Sequence, residues 1–416
     1  MTDDGHGEDV AAAGDAARPL RGVRVVEVAA WTFVPAAGAL MADLGADVIK
    51  VEPPTGDPQR GLMNLLARPD QPSANPFVEI PNRGKRSITL DLASEAGRGV
   101  LLELVATADV FLTSYLPSVR AKLRIDLDDL RAVNPQLIYV RGSGWGARGP
   151  MAETGGFDLA AAWASASMAF KMSRGDAEPM YQPAAFFDLQ GSNTIAGAVG
   201  MALFQRERSG VATDIDVSLL SVGMWALSPD IMAGPAVGSI PSPPREAAPN
   251  PLVNSYPTAD GRWLYLVCLQ ADRFWAELCE LIERPDLLAD ERFADLASRA
   301  QHAAACVAEL ERTFRERTLA DWMQRLERFS GVWAPALTPA EVHEHVQVAA
   351  NGYLPEVTTP DGASYRLPAP PMQLAGGPGV PQGSAPELGQ HTEELLLELG
   401  HDWDRITELR TSGALG

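Results

Sequence analysis

The sequence predicts an α/β fold, with a Rossmann-like large domain on a parallel sheet and a smaller α+β domain after it. Short runs rich in Val and Ile alternate with segments of helical period over residues 23–140, and this alternation is typical of strand-helix-strand units. Residues 233–253 are dense in Pro and Gly, and the hydrophobic pattern changes after them. A length of 416 residues also exceeds one ordinary core, which favours two domains.

The composition limits the classes of partner. Against 34 Lys and Arg stand 54 Asp and Glu, a net charge of −20, which repels nucleic acid and anionic membranes. No apolar run reaches the roughly 18 residues of a membrane-spanning helix. The cysteines Cys268, Cys279 and Cys306 are odd in number and lack metal-ligand spacing. We therefore expect no metal site and a reducing, cytoplasmic location.

The first strand-helix-strand unit opens the chain. VRVVEV at 23–28 predicts a buried strand, PAAGALMADL at 35–44 a helix with a small-residue face, and GADVIKVE at 45–52 a second strand. A Pro-rich excursion at 53–80 is the kind of loop that often carries binding residues. It ends in NRGKRSITLDL at 82–92, where cations and a glycine at a strand edge favour an approaching phosphate. Solvated surface charge is the alternative.

The alternation continues beyond this strand. The same periodicities predict a helix at 94–107, a strand at 108–115, a helix at 127–133 and a strand at 137–140. The glycines Gly144, Gly146 and Gly149 then satisfy the dinucleotide pattern G-x-G-x-x-G. Pro150 and a Thr-Gly-Gly turn follow where a dinucleotide fold requires a helix. We therefore expect no nicotinamide cofactor.

A carboxylate at the start of a small-residue helix is the central feature of the chain. Asp188 follows the aromatic pair Phe186-Phe187 and precedes a run that predicts a tightly packed helix closed at 205–210. Backbone N–H groups and the helix dipole favour an anion there, so the simplest interpretation is an N-cap. Asp158 is likewise the predicted cap of a helix at 155–170.

The later patterns set the predicted domain limits. A long helix is predicted at 221–232, irregular chain at 233–253, a hairpin turning at Asp260-Gly261, and helices at 272–284 and 302–330. GSAPELGQHTEELLLELG at 383–400 predicts a helix with Thr392 as N-cap that packs back on the first domain. The predicted organisation is a disordered tail at 1–18, the large domain at 19–225, a linker at 226–253, the small domain at 254–335, a return at 336–382, and the rest of the large domain at 383–416. The parallel sheet is expected to draw on both N- and C-terminal parts.

Together these stretches resemble the family III coenzyme A transferases, the CaiB/BaiF group, which includes formyl-CoA transferase and the α-methylacyl-CoA racemases. The resemblance covers about residues 20–400. Its ordered motifs are GVRVVEV, LGADVIKVE, NRGKRSITLDL, NPQLIY, the G-F-D of 156–158, the F-D of 187–188 and APELGQHTEELLLELG.

The resemblance implies that Asp188 is a nucleophile. It would attack an acyl-CoA thioester to give a mixed anhydride, which CoA thiolate converts into an aspartyl-CoA thioester. A carboxylate is a weak nucleophile, so its neighbours must fix it near the thioester carbonyl. Gly191 and nearby N–H groups are the predicted oxyanion donors. The resemblance further implies an interlocked homodimer, no permanently bound cofactor, and acyl-CoA and a small carboxylic acid as partners.

The resemblance also implies contacts to coenzyme A by position in these motifs. They are Thr32, Phe33, Asn82, Arg83, Gly84, Lys85, Ser114, Tyr115, Arg120, Lys122 and Asp158. Arg and Lys would hold the phosphates. Surface cations and strand-end packing are the alternative for each residue.

The chain departs from the family pattern at two positions. In the racemases a His precedes the residue matching Asp158, whereas here Phe157 stands there and no His lies between His6 and His302, so the second base of an epimerisation is missing. Pro53 occupies a position that is often Arg, which puts one adenine or phosphate contact in doubt. A racemase-like enzyme, an intramolecular CoA-transferase and a non-catalytic acyl-CoA-binding homologue are the alternatives.

The acyl group is not specified by these motifs. Five bulky apolar residues near them favour a hydrophobic acid over formate or oxalate, unless they belong to the core. These are Trp31, Phe33, Trp145, Phe157 and Phe187.

Overall fold

The computed structural model describes residues 18–62, 74–174, 177–238, 242–374, 377–378 and 380–416. All but the last residue of the predicted tail at 1–18 lie outside these ranges. The described residues divide into two compact units. The first takes in residues up to Ala169 together with Tyr181–Ala236 and Val346–Gly416, and the second takes in Phe170–Met180 and Val237–His345. The residue limits of the predicted domains stay predictions.

A six-stranded parallel sheet organises the first unit. Its strands are β1 (Arg24–Val28), β2 (Asp47–Glu52), β3 (Arg86–Thr89), β4 (Val110–Thr113), β5 (Ile138–Ser143) and β6 (Asp214–Ser218). They lie in the order β3-β2-β1-β4-β5-β6, and each neighbouring pair is parallel. The order reverses between β1 and β4. The carboxyl ends of these two strands therefore border a crevice, which is where ligands bind in sheets of this kind.

Helices cover both faces of this sheet. In the first unit they are α1 (Phe33–Asp43), α2 (Pro76–Asn82), α3 (Glu95–Ala106), α4 (Pro117–Leu123), α5 (Leu127–Arg131), α7 (Phe186–Ser209), α8 (Leu219–Ala226), α9 (Ser228–Val237), α16 (Val346–Ala350), α17 (Thr392–Glu398) and α18 (Trp403–Thr411). A 3-10 helix (Pro58–Gly61) and a π-helix (Leu159–Ala164) also belong to it. The chain passes into the second unit within α6 (Met168–Met172).

The two faces of the sheet carry separate cores, because successive residues of a strand point to opposite sides. Val25 packs with α1 and α7, whereas Val26 packs with α3, α17 and α18. Leu395 and Leu396 of α17 are buried in this second core. The C-terminal helix therefore packs on the first unit, as predicted.

The C-terminal part contributes no described strand to the six-stranded sheet, contrary to our expectation. All six strands lie between residues 24 and 218. The strands described after residue 346 form two separate antiparallel pairs, β10 (Glu356–Thr358) with β11 (Ser364–Arg366) and β12 (Gln373–Leu374) with β13 (Gly377–Pro378). The mixed α/β class is thus confirmed, but the described strands of the sheet all come from residues 24–218.

The second unit pairs a three-stranded antiparallel sheet with helices. Its strands are β7 (Val253–Pro257), β8 (Trp263–Val267) and β9 (Trp333–Pro335), and the predicted hairpin turn is present with Gly261 at φ 74°. Its helices are α10 (Ala271–Leu281), α11 (Pro285–Ala289), α12 (Leu296–Gln301), α13 (Ala303–Phe314), α14 (Leu319–Leu326) and α15 (Pro339–His343), with short 3-10 turns at Arg245–Ala247 and Glu291–Phe293.

Several helix predictions are wrong in their limits. The helix predicted at 221–232 is two helices, α8 and α9, because Pro229 cannot continue a preceding helix but suits a first turn. The stretch predicted as irregular at 233–253 begins with the end of α9. The helix predicted at 302–330 is α13 and α14, separated where the side chain of Thr318 caps α14. Thr392 is the first residue of α17, and His391 is its N-cap. None of the described helices is long and apolar enough to cross a membrane.

Candidate active site

Asp188 is buried in the first turn of α7. Its residue is 9% exposed, and its carboxylate forms no hydrogen bond or ion pair with any described residue. Burial, and then the negative charge of Asp158, raise the pKa of Asp188 to about 7. A carboxylate in this setting is poorly solvated and unpaired, which is the condition of a reactive group more often than of a structural one.

The residue that caps α7 is Ala185, so the N-cap predicted for Asp188 is wrong. Ala185 has φ 56° and ψ 22°, in the left-handed region, which costs a residue with a Cβ atom about 1 kcal/mol. Such backbone strain is concentrated at functional sites. The turn at Ala185 makes Asp188 the third residue of the helix, three positions after the capping residue, where its side chain does not cap the helix.

Asp158 connects the starts of two helices. Its Oδ1 accepts a hydrogen bond from the N–H of Leu159 at 2.8 Å, which caps the π-helix as predicted. Its Oδ2 accepts one from the N–H of Phe187 at 3.2 Å. Because Phe187 precedes Asp188 and is fully buried, this bond fixes the backbone that carries the Asp188 carboxylate.

One backbone donor of the first turn of α7 has no partner among the described residues. The N–H of Phe186 donates to Pro183, that of Phe187 to Asp158, and that of Leu189 to Ala185. The N–H of Asp188 itself remains. Gly191, the predicted oxyanion donor, is the sixth residue of α7, beyond the four N–H groups that a helix start leaves open.

Gly191 has a packing role instead. A Cβ atom at this position would lie 2.3 Å from Cε2 of Phe33. A Cβ atom at Gly142 in β5 would lie 2.2 Å from Cγ2 of Val34 and 3.0 Å from Cε1 of Phe33. The two glycines thus make room for the side chains at the start of α1, between α7 and the sheet.

The crevice between β1 and β4 is closed at its base by one serine. The N–H of Ala30 donates to Oγ of Ser114 at 3.1 Å, which ties the ends of the two strands together. Ser114, Tyr115 and Arg120 line one small pocket at the carboxyl ends of β4 and β5. The Arg120 guanidinium is fixed there by Asp126 at 2.8 Å and by the carbonyl of Tyr115 at 2.7 Å.

Comparison with known proteins places this architecture. A family model described as CoA-transferase family III matches residues 20–392. The chain belongs to CoA-transferase family III. This confirms the resemblance seen in the motifs, and it makes the chain an enzyme of that family.

Curated relatives of the chain are CoA-transferases from several bacteria. It is 35% identical, over 75% of its length and 80% of the relative, to a probable fatty acyl-CoA transferase, Rv3272, of Mycobacterium tuberculosis. It is 27% identical to the (R)-2-hydroxy-4-methylpentanoate CoA-transferase of Clostridioides difficile, over 94% of its length and 98% of the relative. Among solved structures, a CAIB/BAIF family protein from Brucella suis superposes with a TM-score of 0.82 at 31% identity, covering 92% of this chain and 99% of that one.

In this family III transferase, two of the cations predicted to bind phosphate are buried in the interior. They are Arg83 and Lys85 of the motif NRGKRSITLDL. Arg83 is 4% exposed and pairs with Asp43 at 2.7 Å, and Lys85 donates to Glu27 at 2.7 Å and to the carbonyl of Pro35 at 2.8 Å. Burial lowers the pKa of Lys85, against the attraction of Glu27. Asn82 is buried beside Lys85. These residues neutralise or solvate interior groups.

A buried ionic cluster that the sequence analysis missed lies behind the β1 to α1 loop. Lys50 Nζ donates to Asp57 at 2.9 Å and to Glu27 at 3.2 Å, and Asp57 also accepts the N–H of Trp31 at 3.2 Å. The signal was present, because Glu27 and Lys50 are charged residues inside strands predicted to be buried on both faces, where charges occur only when paired.

The remaining predicted contacts lie at distinct places. Thr32 is buried and accepts a hydrogen bond from Gln59 at 2.9 Å, and Phe33 is in the core. Gly84 has φ 71°, a left-handed conformation that favours glycine, and its N–H donates to the carbonyl of Ser384 at 3.1 Å. Lys122 is exposed on α4. Thr32, Ser114 and Tyr115 follow the ends of β1 and β4, so these three stand at the crevice.

Proposed function

We propose that this chain transfers coenzyme A from an acyl-CoA donor to a carboxylic acid through covalent intermediates on Asp188. The observation that carries the proposal is a carboxylate at the start of α7 that is buried and unpaired among the described residues. Membership of CoA-transferase family III supplies the reaction class. The relatives are named for transfer to different acids, so the family does not fix the acyl group.

The steps balance without any added oxidant or proton source. One oxygen of the Asp188 carboxylate attacks the thioester carbonyl carbon, the C–S bond breaks, and CoA leaves as thiolate. The thiolate attacks the aspartyl carbonyl of the mixed anhydride, which releases the donor acid and leaves an aspartyl-CoA thioester. The acceptor carboxylate then attacks the carbonyl carbon of that thioester, the C–S bond breaks, and CoA thiolate leaves, giving a second mixed anhydride. The thiolate attacks the acyl carbonyl of this anhydride and forms the new acyl-CoA. Asp188 is regenerated as a carboxylate.

The surroundings of Asp188 suit this role. Poor solvation makes a carboxylate more nucleophilic, and the Asp158 tether keeps its backbone in place. The unpartnered N–H of Asp188 lies at the positive end of the α7 dipole, where the oxyanion of each addition would be stabilised. We propose this N–H in place of Gly191.

We propose that coenzyme A enters along the crevice at the ends of β1 and β4. Thr32, Ser114 and Tyr115 would border it, with Arg120 and the exposed Lys122 as the available cations. Arg83, Lys85 and Asn82 would act indirectly, by holding α1 and α2 against the sheet.

We also propose a homodimer, in a cytoplasmic location. Large apolar side chains are exposed on α8 and α9, with Trp225 83% and Met232 87% exposed. Monomeric proteins seldom expose such a concentration of apolar surface. Light scattering coupled to size-exclusion chromatography would give twice the 44.4 kDa chain mass, and a monomer at micromolar concentration would contradict the proposal.

The deciding experiment follows isotopic oxygen. If Asp188 carries the intermediates, an acceptor acid labelled with ¹⁸O in both oxygens leaves one ¹⁸O in the Asp188 carboxylate per turnover. After a single turnover, mass spectrometry of the peptide that contains residue 188 would show a gain of one label. Exchange of CoA between acids with no label in that peptide would exclude the covalent route. Asp188→Ala should abolish both exchange and labelling, whereas Asp404→Asn, an exposed helix-start carboxylate, should change neither.

An α-methylacyl-CoA racemase remains disfavoured. The position of the second base is Phe157, whose ring is exposed and cannot accept a proton. Incubation of a 2-methylacyl-CoA in D₂O should give no deuterium at the α-carbon, and wash-in at a rate comparable to CoA exchange would reverse this assignment.

A further inference from the structure

Two exposed aromatic side chains, Trp31 and Phe157, lie near the carboxylates of Asp158 and Asp188. Phe157 is 58% exposed and Trp31 is 37% exposed, and their rings meet edge to face with centroids 5.4 Å apart. The other bulky residues considered from the sequence have different roles. Phe33 and Phe187 are core residues, and the indole N–H of Trp145 donates to the carbonyl of Gly155 at 3.2 Å.

The position of this aromatic pair relative to Asp188 follows from the hydrogen bonds. Phe157 directly precedes Asp158, and the Asp158 carboxylate accepts the N–H of Phe187 at 3.2 Å. Phe187 directly precedes Asp188. The charge of Asp158 also contributes to the pKa of Asp188, so the two carboxylates are close. The pair Trp31 and Phe157 therefore lies at the approach to the reacting carboxylate.

Trp31 is held in place from behind. Its backbone has φ 68°, a left-handed conformation that is strained for Trp. Its N–H donates to Asp57, and Asp57 is anchored by Lys50 at 2.9 Å inside the buried ionic cluster. A ring supported by a rigid loop loses little conformational entropy when a ligand packs on it.

The charges around the site argue against a second carboxylate on the substrate. Neither Asp158 nor Asp188 forms an ion pair with a described residue. A dicarboxylate, once its reacting carboxyl group met Asp188, would bring a further negative charge toward Asp158 with no described cation paired there. Like charges in a poorly solvated site repel strongly.

We infer that the acyl group belongs to a monocarboxylic acid with an uncharged apolar body, aromatic or branched, that packs on Trp31 and Phe157. This inference rests on the proposed function. It makes Trp31 and Phe157 specificity-determining residues, and it separates this chain from relatives named for dicarboxylates such as succinate and glutarate.

The test compares thioesters under one protocol. Wild-type enzyme is given 3-phenylpropanoyl-CoA, 4-methylpentanoyl-CoA, acetyl-CoA or succinyl-CoA, each with its own ¹³C-labelled acid as acceptor, so that donor and acceptor occupy the same acyl site. Entry of label into the thioester gives kcat/KM. We expect the two apolar thioesters to exceed succinyl-CoA by about 100-fold or more, as apolar pockets reject charge strongly. Equal or faster exchange of succinyl-CoA would overturn the inference.

Variants separate the aromatic pair from general damage. Trp31→Ala and Phe157→Ala should each lower kcat/KM for 3-phenylpropanoyl-CoA about 10-fold or more, since an aromatic wall is lost. Acetyl-CoA is too short to use that wall, so the ratio of kcat/KM for 3-phenylpropanoyl-CoA to kcat/KM for acetyl-CoA should fall about threefold or more. Trp31→Leu and Phe157→Leu, which keep an apolar side chain, should recover part of the loss. The control is Trp403→Ala, which removes an exposed Trp on α18 and should leave kcat/KM for every thioester unchanged.

The outcomes also separate the two proposals. Equal losses on acetyl-CoA and 3-phenylpropanoyl-CoA would mean that the pair is structural, and the inference would fall while the proposed function stood. Exchange of dicarboxylates alone would likewise overturn the inference and leave the proposed function standing. Absence of exchange and of ¹⁸O in Asp188 with every thioester would remove the proposed function, and the inference with it.

Discussion

The Asp158 carboxylate accepts a hydrogen bond from the backbone N–H of Phe187 at 3.2 Å, and so joins the start of the π-helix to the start of α7. Two helix termini therefore share one anion. The same anion lies close enough to Asp188 to raise its pKa. Asp158 thus positions the backbone of Asp188 and adjusts its proton affinity at once.

Asp158→Asn tests both roles. The amide keeps one oxygen acceptor but loses the charge, so we expect the free energy of unfolding to fall by about 1–2 kcal/mol. Because the neighbouring negative charge is gone, the pKa of Asp188 should move down, and the pH profile of CoA exchange should move to lower pH. Urea denaturation and the pH dependence of kcat/KM measure the two effects. An unchanged profile with lost stability would leave Asp158 with a structural role alone.

The pH dependence of the wild-type enzyme follows from the state of Asp188. Attack requires the ionised carboxylate, and burial with the Asp158 charge raises its pKa to about 7. kcat/KM should therefore rise about tenfold per pH unit below 7 and level off above it. A flat profile between pH 5 and pH 8 would show that Asp188 ionises at an ordinary pKa.

Stability should respond to pH with the opposite sign. The folded-state pKa of Asp188 lies above its unfolded value of 3.8, so the stability linked to its protonation is complete below that value and is lost as pH rises through about 7. Asp188→Asn removes this dependence. Relative to wild type, the variant should gain about 2–4 kcal/mol between pH 4 and pH 8. Denaturation curves at the two pH values, with Asp404→Asn as control, give the difference.

Gly191→Ala should disrupt the packing of α7 against α1. Its Cβ atom would lie 2.3 Å from the Phe33 ring, so we expect a loss of about 1–3 kcal/mol in unfolding free energy. Gly200→Ala, in the same helix but facing open space, should instead gain about 0.5–1 kcal/mol from helix propensity. The double variant Phe33→Leu with Gly191→Ala should recover part of the loss. Equal effects at both glycines would contradict the packing role.

Lys85 and Lys122, both predicted to contact coenzyme A, should differ in how much their substitution lowers the free energy of unfolding. Lys85→Met would leave Glu27 buried with one fewer cation, and we expect a loss of about 3–5 kcal/mol. Lys122→Met removes an exposed charge, so stability should change by less than about 0.5 kcal/mol. If Lys122 contacts coenzyme A, its variant should raise KM for acyl-CoA while leaving kcat unchanged, and an unaltered KM would exclude that contact.

The sequence was sufficient for elements whose pattern is decided locally. The apolar runs of β1, β2 and β4 and the cap Asp158 were predicted because periodicity and capping chemistry act within a few residues. Asp188 was predicted to be the N-cap of its helix, whereas the N-cap is Ala185. Alanine rarely adopts a left-handed conformation, so its presence at 185 does not predict the turn found there. That turn depends on tertiary packing around Phe187.

Long-range pairing was the other limit. The cations of NRGKRSITLDL looked available for a ligand because their partners, Asp43 and Glu27, lie 40 or more residues earlier. The anchoring of the β1 to α1 loop was not predicted because Asp57, which accepts the Trp31 N–H, belongs to a later excursion. A single sequence does not indicate which charges meet in the interior.

The helices α17 and α18 cover part of one sheet face, although every strand of that sheet has been made by residue 218. Ile88 of β3 and Phe111 of β4 share a buried core with Leu395. During synthesis these side chains lack that cover until the ribosome has added about 170 further residues, roughly 10 to 35 s of translation. The nascent chain must carry that bare hydrophobic surface for the whole interval. A chain truncated before α17 should therefore bind chaperones or aggregate, because one face of its completed sheet is left uncovered.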